Sequence, residues 1–241
     1  MDWNIVHEQV KENAPKDDGS KLKEGFVEFG LYERSYLLLG MEEALMAYLT
    51  DADLMEEMVS AIADYKVKLI TRFCEEAGGL DIVWYGDDWG NQNQLFLPPE
   101  IWRTVIKPHT KRIYDAIHAA GALVNQHSCG RIDEVFGDMV EIGADIFNPC
   151  QPCNDLASLK IKYGDKIAFN GAIDSQFVLD RPGVTTDEVR AEVRLRIDTL
   201  AAGGGYFAGP SHGVPYDEEI INAMHDEIKT YGRAFCDRQN A

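Results

Sequence analysis

From Ala122 to Cys150 the chain reads ALVNQHSCGRIDEVFGDMVEIGADIFNPC. The apolar ALV passes into the polar NQHSCG. Ile132, Val135, Phe136, Met139 and Val140 then recur at helical spacing. Gly143 closes that stretch, and ADIF opens a second apolar run that ends in NPC. Two short, near-continuously apolar strands joined by one helix predict a parallel βαβ unit, because strands covered on both faces need no polar alternation.

The same pattern extends both ways. Upstream, LDIVWYGDD (Leu80 to Asp88) reads as a strand, and Leu97 to Ala120 as a helix with prolines near its start and Gly121 at its end. Downstream come a short helix from Leu156 to Tyr163 and the strand KIAFNGAID. A helix over Thr186 to Ala201 follows, opened by a Thr185–Glu188 capping box, then the strand GGYFAGPSH and a closing helix from Asp217 to Phe235. At the other end, residues 1–24 read as an arm or helix ending in PKDDGS. GFVEFGLYE (Gly25 to Glu33) is a strand or extended entry segment. Helices over Arg34 to Tyr48 and from Thr50 or Asp51 to about Ala77 follow, the second closed by Gly78 and Gly79. Strand-then-helix repetition with glycine-marked turns predicts an α/β fold with a parallel sheet. The expected architecture is a (β/α)8 TIM barrel over 25–241, incomplete at its N-terminal side, with about six strands visible. An open barrel edge exposes unpaired backbone, so a homo-oligomer or a partner chain covering that edge is expected.

Charge narrows the function classes. Lys and Arg number 23 against 41 Asp and Glu, a formal net charge of -18. That balance disfavours nucleic-acid binding, since phosphates are met with Lys and Arg. The polar N-terminus has no apolar signal core, and no apolar run approaches the ~20 residues of a membrane helix. Five cysteines, an odd number, argue against a secreted disulfide scaffold. A cytoplasmic protein without membrane contact is the expectation. GGGY at Gly203 to Tyr206 precedes its strand, so it is a turn and not a dinucleotide fingerprint.

The polar residues gather at the C-terminal strand ends: GDD, NQHSCG, NPCQPC, NGAID and GPSHG. A β/α barrel carries its chemistry there. His127 and Cys129 stand two residues apart, and on a strand such side chains point the same way. An imidazole nitrogen and a thiolate are zinc ligands, at ~2.0–2.3 Å. The competing reading has a hydrogen-bonded His127 beside a space-filling Cys129. His212 and Cys150 are the best-placed strand-end partners for a third ligand, while Cys150 and Cys153 form a single CxxC. Asp87 and Asp88 are candidates to ligate metal, orient a ligand histidine or act as acid and base; a helix-capping role explains one of them equally well. Asp174 has the same two readings. Gln92, Asn125, Gln126 and Gln151 suit substrate hydrogen bonds or loop satisfaction. Tyr85, with Trp84, Trp89 and Phe207, lines a substrate pocket or fills core.

Taken together, YGDDWGNQNQLFLPPEIWRTVIKPHTKRI, HSCG, NPCQP, GDKIAFNGAIDSQ and GGGYFAGPSHGVP, in that order, are similar to the uroporphyrinogen decarboxylase superfamily from about Gly25 to the C-terminus. One branch of that superfamily decarboxylates uroporphyrinogen III without a cofactor. The other contains zinc methyltransferases that move methyl groups to or from a corrinoid protein or coenzyme M, some acting on methoxylated aromatics. The HxC motif resembles the methyltransferase branch, where a His and a Cys after this strand bind the metal and a later Cys completes the set. The resemblance implies zinc on His127 and Cys129. The later position reads PSHG here, which offers His212, with Cys150 as the alternative, and sets Ser211 beside the substrate. It further implies catalytic assistance from Asp87 or Asp88, a small methoxylated or thiol substrate, and a corrinoid partner protein. The decarboxylase branch's arginine motif and catalytic aspartate have no counterpart in this sequence, so uroporphyrinogen decarboxylation is the second reading. A non-catalytic subunit or scaffold is the third.

Overall fold

Strand order follows chain order, β1-β2-β3-β4-β5-β6, as the repeated strand–helix pattern predicts. The computed structural model describes residues 19–213 and 217–239, together with Asn4, Ile5 and Glu8. The expected arm over 1–24 lies mostly outside the described residues. The chain divides into two compact units: one of residues 1–88, 96–127 and 141–145, the other of residues 89–95, 128–140 and 146–241.

The first unit holds β1 (Glu24–Val27), β2 (Ile82–Gly86) and β3 (Leu123–His127). Both of its strand pairings are parallel, with Val27 opposite Tyr85 and Gly86 opposite His127. Alternation along the strands buries Val27, Val83, Tyr85, Val124 and Gln126, whereas Phe26 and Leu123 on the other face stay exposed. Helix α1 (Leu31–Leu39) begins earlier than the periodicity predicts, and α2 (Met41–Thr50) is separate from it. Gly40, at φ 96°, breaks the run that reads as one helix. The longest helix of the unit, α3 (Ala52–Glu76), buries Met55, Val59, Ile62, Ala63, Lys66, Ile70 and Cys74, a single amphipathic stripe. It ends where Gly78 and Gly79 take positive φ. The next helical run starts with the turn Pro99–Ile101, widens into a π-helical turn over Trp102–Ile106, and continues as α4 (Lys107–Ala119). Pro108 has no N–H to give and crowds the carbonyl one turn back, and a wider turn just before it accommodates that.

The second unit contains most of α5 (Asp133–Glu141), with β4 (Ile146–Asn148), α6 (Leu156–Tyr163), β5 (Ala168–Ile173), α7 (Thr186–Leu200), β6 (Tyr206–Pro210) and α8 (Glu218–Gln239). Its strands also pair in parallel. Phe136 meets Phe147 edge-on at 5.2 Å and stacks on Phe169 at 5.9 Å. Ile173, Leu179, Val189, Val193, Ile197, Ile220, Met224 and Phe235 form the core that clamps α7 and α8 to β5. The capping box at the start of α7 is present as predicted: Thr185 Oγ1 accepts from the Glu188 N–H, and Glu188 accepts from the Thr185 N–H. Gly171 (φ 113°) is obligatory, because a Cβ there would collide with the Pro149 carbonyl. No helix among the described residues is long and apolar enough to cross a membrane.

Candidate metal centre and the strand-end rim

The loop after β2 separates two adjacent carboxylates. Asp87 is fully buried. Its carboxylate accepts from the backbone N–H groups of Leu31 (3.1 Å), Tyr32 (3.2 Å) and Glu33 (3.0 Å). Those are orphan donors of the first turn of α1, at the positive end of the helix dipole. Gly30 precedes the helix with no side chain to cap it, and a Cβ there would collide with Asp87 and the Tyr85 hydroxyl. Asp87 is therefore the cap of α1, supplied from another strand end, which is why the helix starts at Leu31.

Asp88 points elsewhere. The described residues bring one metal-competent group together: Asp88, His127 and Cys129, each offering a ligand atom, all within 4.8 Å of one another. His127 Nε2 lies 3.5 Å from Asp88 Oδ1. Oxygen, nitrogen and sulfur atoms at such separations suit a tetrahedral zinc with bonds of ~2.0–2.3 Å, whose ligands stand roughly 3.3–3.8 Å apart. The His127 ring packs 4.4 Å from the Trp84 ring. Its backbone is fixed as well, because the His127 carbonyl accepts from the Asp87 N–H (3.0 Å) and from Gln126 Nε2 (2.6 Å). Gln126 is buried and also accepts the Tyr114 hydroxyl at 2.6 Å. Tyr85 is buried with its ring edge-on to Tyr114. Gln126 and Tyr85, read from the sequence as substrate contacts, sit in the packing that supports the rim.

Two residues near Asp88 escape a sequence reading. Glu33 is pushed up to about 7, first by burial and then by the charges of Asp87 and Asp88, against a stabilising hydrogen bond from the Asp88 backbone. Tyr36 donates to Glu33 Oε1 at 3.4 Å and is itself raised to about 12, mainly by burial. In sequence Glu33 looks like any first-turn acid of a helix; only the fold sets it beside two aspartates.

In the second unit the segment carrying Cys129 is tied to the β4 loop. The Gly130 N–H donates to Gln151 Oε1 at 2.6 Å, and Asn154 bonds both the Gly130 carbonyl and the Ile132 N–H. Ser128 Oγ accepts from the Trp89 N–H at 3.0 Å. Cys150 is fully buried, its thiol donating to the Phe147 carbonyl and raised by burial. His212 lines a cavity with Gln92, Gln151, Cys153, Asp174 and Ser211. Neither Cys150 nor His212 belongs to the metal-competent group, whose third member is Asp88.

Comparison with known proteins agrees with this architecture. The family described as Uroporphyrinogen decarboxylase (URO-D) matches residues 34–231. A uroporphyrinogen decarboxylase of Methylococcus capsulatus is 25% identical over 193 residues, covering 76% of this chain and 49% of that protein. The methylcobamide:CoM methyltransferase MtaA of Methanosarcina barkeri is 22% identical over 172 residues, covering 70% of this chain and 48% of that protein. The chain thus spans about half the length of these curated relatives. A solved methyltransferase from Methanosarcina mazei superposes with a TM-score of 0.73 at 16% identity, over 94% of this chain and 63% of that one. The fold is the α/β architecture of the TIM-barrel type.

Proposed function

The chain belongs to the uroporphyrinogen decarboxylase family, and from that premise we propose that it serves a zinc-dependent methyl transfer between a small methoxylated or thiol substrate and a corrinoid protein. Relatives bearing the names of both branches match it, and they are enzymes. The observation that carries the methyltransferase reading is the Asp88–His127–Cys129 group. An imidazole beside a thiol is a zinc donor set, with soft sulfur selecting against magnesium and calcium. The decarboxylase reading draws less support. A polycarboxylate substrate calls for cations, and no lysine or arginine lines the cavity of the second unit among the described residues.

In this reading His127 and Cys129 hold the metal and Asp88 supplies the third ligand. What zinc supplies in such a site is Lewis acidity toward an oxygen or sulfur of the substrate. Gln126 and the Asp87 N–H hold the His127 backbone in place, and Trp84 restrains its ring. Asp87 acts only through position, by fixing α1 and with it Glu33 beside Asp88. Metal analysis of protein purified without chelator tests the reading. The expected result is about one zinc per chain, falling sharply in His127→Ala, Cys129→Ser and Asp88→Asn. Wild-type protein without zinc, or zinc content unchanged in the first two variants, removes the proposal.

A further inference from the structure

The second unit contains a cavity of about 360 Å3 at the ends of its strands, within the size range of small-molecule sites. Its rim is held rigidly. The Ser175 N–H donates to Ser211 Oγ (3.1 Å), and the Ser175 hydroxyl bridges the carbonyl and the N–H of His212. The charged groups on the wall are one-sided. Asp174 and Asp180 line it, and no lysine or arginine does among the described residues. One Asp174 oxygen accepts the Phe177 N–H at 2.9 Å, which leaves the other for a ligand. Phe177 lines the same cavity and is 57% exposed, so its ring is open to a ligand there.

We infer that this cavity binds a small organic cation carrying an apolar or aromatic group. Carboxylates and an aromatic face are the two surfaces that recognise such a cation, the second through the ring quadrupole. The formal charge of -18 on the chain raises the local concentration of cations and depletes anions. An anion of the same size would face two carboxylates with no lysine or arginine among the described residues to offset them. The inference goes beyond the zinc reading and does not depend on it, since every group it uses lies in the second unit.

Isothermal titration with phenyltrimethylammonium tests it, with benzoate and benzyl alcohol as anionic and neutral controls of similar size. Saturable binding of the cation is expected, with benzoate weaker by at least about tenfold. Asp180→Asn should weaken the cation by up to about fivefold, as an exposed charge pair is worth up to ~1 kcal/mol. Phe177→Leu should weaken it by a similar factor. Both positions are outside the buried core, and thermal melts of the variants report whether the fold is intact. Chelator-stripped wild-type protein should bind the cation as well as untreated protein, so a failed zinc assay leaves this result standing. Benzoate binding that equals the cation, the absence of saturable cation binding, or wild-type affinity in both variants overturns the inference.

Discussion

At the end of β2, Asp87 and Asp88 set two carboxylates against three backbone amides and against an imidazole–thiol pair. At the end of β5, Asp174 and Asp180 set two more along the wall of an open cavity. The residue types are alike, and the environments make them different. A carboxylate sunk among helix N–H groups is a structural anchor. One beside nitrogen and sulfur donors is placed to bind a metal. One on the wall of an open cavity is placed to favour cations over anions. The number of acids at a strand end therefore says little, and what each oxygen already touches says most.

The largest expected effect breaks this comparison at Asp87. Asp87→Ala leaves the amides of Leu31, Tyr32 and Glu33 without their acceptor, and urea denaturation should show a loss of about 3 kcal/mol. With both proteins stripped of metal, Asp88→Asn should stay within about 0.5 kcal/mol of wild type in the same assay. Equal losses at the two positions would mean that the anchor and the ligand are not distinct. Next, Cys129→Ser should lower zinc affinity by about 100-fold in a competition titration with a chromophoric chelator, since a hydroxyl is a far poorer zinc ligand than a thiolate.

A smaller effect lies beneath the first rim. Lys66 is buried on α3 and donates to the Glu28 carbonyl at 2.6 Å. Its pKa falls to about 8, first through burial and then through Arg34. For a base with a depressed folded pKa, the penalty for burying charge is complete below pH 8 and is relieved as pH rises toward the unfolded lysine value of ~10.4. Lys66→Met should thus stabilise the protein by about 1 kcal/mol at pH 7, net of the lost hydrogen bond, with the gain shrinking above pH 8. Thermal melts at pH 7 and pH 9.5 read the difference, and a gain that grows with pH contradicts it. Least of all, Thr185→Ala in the second unit removes the α7 cap and should cost about 1 kcal/mol. Cation affinity of the cavity should not change with it, because neither Thr185 nor Glu188 lines that wall.

Much of the fold was legible because its signals are local. The helix from Leu156 to Tyr163, the Thr185–Glu188 box and the five strands from β2 to β6 follow from apolar runs, periodicity and glycine turns. The pairing of His127 with Cys129 was legible too, because two-residue spacing at a strand end aims both side chains to one side. The beginning of α1 was not. Its cap is Asp87, more than fifty residues away in the chain. The π-helical turn at Ser175–Leu179 carries no periodic pattern long enough to read.

By itself the sequence determined the class of fold and which residues reach the strand ends, since backbone hydrogen bonding and side-chain alternation depend on near neighbours. The tertiary structure alone decided what each of those residues does. It made Asp87 an anchor and set Asp88 beside His127 and Cys129, and it placed His212 on a cavity wall and Glu33 next to two aspartates. Coordination, capping and pKa depend on distances of a few ångströms between groups remote in the chain, and only folding sets those distances.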